Sequence, residues 1–172
     1  MSPTAAPLPP ASSASATVST DAGSLLYWDD FHPGDRQAYG PMKVTREAII
    51  DFASQWDPQP FHLDDAAAEA SLFGRLAASG WHTAAMSMRM VCDALLLRAA
   101  SLGSPGLEQL RWHQPVYVGD VLSGHFVVLD RRRSASRPGV GLMKSRWETV
   151  QQDGALVLTL ESWAMFRCRP AA

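Results

Sequence analysis

The sequence predicts an α+β fold, a curved antiparallel sheet curled about one long helix, and three observations carry that expectation. Apolar residues recur at three- and four-residue spacing from Gly80 to Leu102. After Pro105-Gly106 the apolar period changes to two and stays there almost to the end of the chain. The chain has 172 residues, 47% hydrophobic and 19% charged, which fits one core of ordinary size. Helical patterning first and strands afterwards, within one domain, leaves a single helix for the sheet to wrap.

Nineteen of the first 24 residues are Ala, Ser, Thr or Pro, and Asp21 is their only charged side chain. Such a segment buries too little apolar surface to offset its ordering entropy, so residues 1–24 read as a disordered tail and residues 25–172 as the domain. The tail lacks the basic and apolar regions of a secretory signal. Tyr27 to Gly34 reads as an entry segment closed by a turn at Pro33-Gly34, followed by a strand over Gln37–Val44. Thr45 is a good N-cap for a helix over Thr45–Gln55, whose Ile49, Ile50, Phe52, Ala53 and Trp56 have helical spacing. Pro58 and Pro60 end it, because neither can donate an i→i−4 bond. Asp64–Phe73 predicts a second short helix with acids in its first turn, where the helix dipole favours them.

The Gly80–Leu102 helix is apolar nearly all round, which predicts burial on every side, with its methionines as core filler. Strands are expected over Leu107–Trp112, Val121–Leu129, Val140–Val150 and Ala155–Cys168, with turns at Arg137-Pro138-Gly139 and Asp153-Gly154. Net charge is −2, which excludes a nucleic-acid binder acting through bulk charge. No apolar run approaches the roughly 20 residues of a membrane span. Cys92 and Cys168 make no disulfide framework, so a reducing cytoplasm is the expected compartment.

Chemistry-bearing residues concentrate between Asp57 and His82. In Asp57-Pro58-Gln59-Pro60-Phe61-His62 a carboxylate and an imidazole lie five apart on a loop that two prolines stiffen. A stiff loop offering an acid and a His suits general acid–base work, where geometry comes before pKa. The plain alternative is a helix-stopping Asp-Pro followed by a structural His. Ser79-Gly80-Trp81-His82 then opens the long helix. A glycine there lets a ligand approach backbone N–H groups that favour a developing negative oxygen; equally, Ser79 can be an N-cap and Gly80 a packing residue. His32, His62, His82, His113 and His125 show no zinc-like spacing, so no metal is expected.

These segments resemble the MaoC-like dehydratases, a family that includes (R)-specific enoyl-CoA hydratases. Asp57 to Asp64 looks like its hydratase signature, and Ser79-Gly80, seventeen residues after His62, fills the slot of its small-residue–Gly pair, commonly His-Gly. Leu110-Arg111-Trp112-His113-Gln114-Pro115-Val116-Tyr117-Val118-Gly119-Asp120 resembles its strand-and-turn segment. The resemblance implies a hotdog fold, a homodimer, and reversible hydration of a trans-2-enoyl thioester with no cofactor beyond the coenzyme A of the substrate. Asp57 and His62 would activate one water as a coupled dyad, and the Gly80 N–H would stabilise the enolate-like oxygen. Ser79, Trp81, His82, Ser87 and Arg111 are the implied substrate contacts, with Trp81 narrowing the acyl pocket. Arg131-Arg132-Arg133, Arg137, Lys144 and Arg146 are candidates for coenzyme A phosphates, although Arg131 to Arg137 reads more simply as a solvated basic hairpin. Rival expectations are a hotdog thioesterase using Asp93, a dehydratase of carrier-protein thioesters, and a binding subunit without chemistry.

Overall fold

The computed structural model describes residues 24–170; the tail expectation for residues 1–23 lies outside the described residues. Five strands form one antiparallel sheet in the order β1-β3-β4-β5-β2. They are β1 (Arg36–Lys43), β2 (Ser101–Trp112), β3 (Val121–Arg133), β4 (Val140–Val150) and β5 (Leu156–Arg167). The helices are α1 (Arg46–Trp56), α2 (Asp65–Glu69) and α3 (Gly80–Ala94), the last packed on the sheet. This is the α+β arrangement the period change predicts. Phe31, Phe126, Phe166, Ile49, Leu122 and Leu158 are all but inaccessible to solvent at its centre. Burying each such side chain contributes about 1.5–3 kcal/mol.

Thr45 caps α1 as expected, its hydroxyl accepting from the Ala48 N–H at 3.2 Å. Asp64 does the same for α2, accepting from Ala67 at 2.9 Å. That helix is only five residues long and does not reach Phe73. Ser71 diverts the backbone, since its hydroxyl donates to the Ala68 carbonyl and accepts from the Phe73 N–H.

The long helix departs from expectation twice. It ends at Ala94 instead of Leu102, because Leu26 captures the chain beyond it. The Leu26 N–H donates to the Arg98 carbonyl and the Ala100 N–H to the Leu26 carbonyl, which turns the segment into β2. Nor is α3 buried on every side. His82, Thr83, Met86, Ser87, Met90 and Val91 face the core, whereas Trp81 and Met88 are 58% and 46% exposed. A single sheet covers one flank of a helix and leaves the other open.

Strand β2 begins six residues earlier than predicted and runs through Pro105-Gly106, which is no turn. It is an edge strand whose register against β5 shifts at three places, and such an edge tolerates proline. Strand β3 extends through Arg133, with Arg131, Arg132 and Arg133 opposite Met143, Leu142 and Gly141. The basic run is therefore ladder, not solvated loop. Arg131 and Arg133 lie over the Trp28 ring, and Arg131 donates to the Phe31 carbonyl at 2.7 Å.

Candidate active site

Because α1 stops at Trp56, Asp57 occupies its C-cap with a non-helical backbone and its carboxylate turns back toward the start of α3. Pro60 opens a single 3-10 turn that carries His62 at its end and buries it. The two prolines thus act as expected, setting acid and imidazole on either side of one bend. Asp57 Oδ2 lies 3.6 Å from His62 Nε2. That is too long for a direct hydrogen bond and suits one bridging water.

The environment specifies each group's form. His62 Nδ1 is 2.8 Å from the Ala77 carbonyl, which can only accept, so Nδ1 carries hydrogen and Nε2 faces Asp57. The rings of Phe61 and Phe73 hold the imidazole from the side. Asp57 accepts from two donors: the Ser79 hydroxyl on Oδ2 at 2.5 Å and the Gln59 amide on Oδ1 at 2.7 Å. The Ser79 hydrogen bond, helped by Gln59 and His62 against partial burial, holds the Asp57 carboxyl below its ordinary value.

His62, Phe73, Gly80, Thr83, Trp112 and His113 line a cleft of about 300 Å3. A second cavity of about 190 Å3, between α3 and the sheet, has Met88, Leu95, Phe126 and Trp147 among its walls and no titratable side chain. Of the two, only the first is lined by titratable side chains, His62 and His113. Gly80 is the first residue of α3, where backbone N–H groups have no intrahelical acceptor. The Trp112 indole donates to the Gly80 carbonyl at 2.7 Å, and a Cβ at Gly80 would stand 2.8 Å from that ring. Glycine is required here by a tryptophan 32 residues away. Sequence reasoning missed Trp112, whose only signal was an aromatic residue in an otherwise strand-like run.

Other predicted contacts fall elsewhere. Ser79 is fully buried and serves Asp57 and the Trp81 N–H, not the cleft. Trp81 stacks edge-on against Trp112 at 5.5 Å and reaches the cleft only through it. His82 lies flat against Phe52 at 4.7 Å, away from the cleft, and burial lowers its pKa. Its Nδ1 has no hydrogen-bond partner among the described residues. Ser87 is buried at 2.9 Å from the Thr149 hydroxyl, which is itself 2.8 Å from that of Tyr39. Arg111 sits opposite Thr159 in β5 and does not line the cleft. Of the phosphate candidates, Lys144 is taken by Glu108 at 2.7 Å and Arg146 by Glu161 at 2.6 Å.

A five-stranded antiparallel sheet packed on one long helix is the hotdog arrangement. The chain belongs to the MaoC like domain family, whose model matches residues 31–146. Among solved structures it is similar to the MaoC-like dehydratase from Rhodospirillum rubrum, with 39% identity and a TM-score of 0.78 over 85% of this chain and 99% of that one. The R-hydratase PhaJ1 from Pseudomonas aeruginosa shares the fold at 22% identity and a TM-score of 0.67, over 84% and 88% of the two chains. Protein MaoC of Klebsiella aerogenes is 25% identical over 126 residues, 70% of this chain, and the match spans only 37% of that protein.

Proposed function

We propose that the protein hydrates a trans-2-enoyl thioester, most simply an enoyl-CoA, to the 3-hydroxyacyl thioester and catalyses the reverse dehydration. One observation carries the reading: a carboxylate and an imidazole face each other across 3.6 Å beside the N-terminus of α3. The pair offers two acceptors to a single water. That water adds through oxygen to C3, one of its protons passes to the dyad, and the dyad returns one proton to C2. Hydrogen and hydroxyl are both accounted for, and no external reductant or oxidant is needed. Negative charge gathers meanwhile on the thioester oxygen, where the Gly80 N–H stabilises it.

The thioesterase reading is weaker, because Asp93 lies near the opposite end of α3, is exposed, and pairs with Arg89 at 2.9 Å. Trp81, Met88 and Leu107 are exposed apolar side chains, the last two on the wall of the second cavity, which supports a homodimer that covers them. Purified protein mixed with crotonyl-CoA tests the activity: enoyl absorbance should fall without release of thiol. Release of thiol would favour hydrolysis, and no reaction across a panel of enoyl and 3-hydroxyacyl thioesters would overturn the proposal. Asp57→Asn should lower the hydration rate roughly 10²–10⁴-fold with the fold retained.

A further inference from the structure

Asp57 has two oxygens, and each is already met by a donor. The Ser79 hydroxyl lies 2.5 Å from Oδ2, and the Gln59 side-chain N–H lies 2.7 Å from Oδ1. An ionised carboxylate accepts both bonds with no hydrogen of its own, and donors on both oxygens favour that form over the protonated one. The Ser79 oxygen also accepts from the Trp81 N–H at 3.2 Å as the N-cap of α3, while its single hydrogen faces Asp57. Ser79 is also wholly enclosed, so water does not compete for that bond.

We propose that Ser79 is a positioning residue that holds the Asp57 carboxylate ionised and aimed at His62 Nε2, ready to accept a proton from the attacking water. The inference rests on the hydratase reading and deepens it by naming what sets the state of the dyad's acid. The balance of the hydration is unchanged: the dyad takes one proton from water as oxygen bonds to C3 and returns one to C2.

The same hydroxyl joins two parts of the site that the sequence keeps 22 residues apart. It ties the carboxylate to the residue immediately before Gly80, so the dyad and the helix N-terminus move as one body. One short hydroxyl therefore caps the helix and serves the acid together.

Ser79→Ala tests the proposal. The acid limb of the kcat/KM–pH profile should move upward by about one to two pH units, because a charge-assisted hydrogen bond that favoured the ionised form is gone. The direction follows from Asp57 now lying below its ordinary value. We expect kcat to fall about tenfold or more with KM nearly unchanged, and Ser79→Thr to restore both rate and profile. Loss of the cap could itself unfold the alanine variant; Ser79→Gly removes the hydroxyl at a cap position where glycine costs only a few tenths of a kcal/mol. Titration of the Asp57 carboxyl carbon by NMR gives a readout independent of turnover. An upward shift in the hydroxyl-less variants of a protein that hydrates no thioester would retain the Ser79–Asp57 coupling and sink the hydratase reading. An active enzyme whose Asp57 titration and pH profile do not respond to Ser79→Ala or Ser79→Gly would overturn the inference alone.

Discussion

The loop at Asp57–His62 and the strand end at Arg131–Arg133 are the two places where the sequence concentrates charge or imidazole for a possible ligand. They differ in what their partners leave free. At the strand end every guanidinium lies over an aromatic ring, Arg131 and Arg133 on Trp28 and Arg132 on Trp163. Arg133 also pairs with Asp29 at 3.2 Å. Arg131 and Arg133 clasp the entry segment to the sheet, and Arg132 rests on β5. At the loop, Asp57 accepts from Ser79 and Gln59 and His62 donates to the Ala77 carbonyl, which leaves Nε2 facing Asp57 Oδ2 at 3.6 Å. A charged cluster is available for chemistry when its partners leave a polar atom uncommitted.

The largest effect that separates the two regions is expected at His62. His62→Ala should lower hydration roughly 10³-fold or more and, because the buried imidazole bonds the Ala77 carbonyl, also cost about 1–3 kcal/mol of stability, which steady-state assays and calorimetry would check together. A rate within a few-fold of the parent would place the chemistry elsewhere. Gly80→Ala comes next. The added methyl meets the Trp112 ring at 2.8 Å, so the helix start or the indole must move. We expect about 1–3 kcal/mol of lost stability and a fall in kcat of about 100-fold, read by denaturant unfolding and turnover. The smallest effect belongs to the strand end: Arg131→Ala should cost about 1–2 kcal/mol of stability and leave KM for an enoyl-CoA unchanged. A several-fold rise in KM would show that this arginine contacts the thioester's phosphates after all.

What the sequence reveals follows the range of the forces involved. Asp57 and His62 are legible because the prolines between them act locally, and local stereochemistry sets their bend. The Thr45 cap is legible for the same reason. The end of α3 is not, since the backbone bonds that close it come from Leu26, some 70 residues earlier in the chain. Apolar periodicity through Leu95, Leu96 and Leu97 continues past a helix that has already been diverted. Trp112 was hidden likewise, because nothing near position 80 announces the indole that rests on it. Ser87 and His82 carried suggestive chemistry on a helix, yet helical rotation points them at Thr149 and Phe52 instead of the cleft.

The buried hydroxyls of Tyr39, Thr149 and Ser87 have a mechanical consequence. Between purely apolar surfaces a helix can slide or roll, since one methyl group substitutes well enough for another. Three hydroxyls in series, joined by two links of 2.8 and 2.9 Å, permit no such substitution. Slipping α3 by one residue would strand polar groups in an apolar interior, at about 1–3 kcal/mol for each one left unpaired. Burial also pushes the Tyr39 phenol far above its ordinary pKa, so its proton stays in place throughout the working pH range. The chain of hydroxyls works as a keyway, fixing the roll of the helix and with it the direction in which the Gly80 end is aimed.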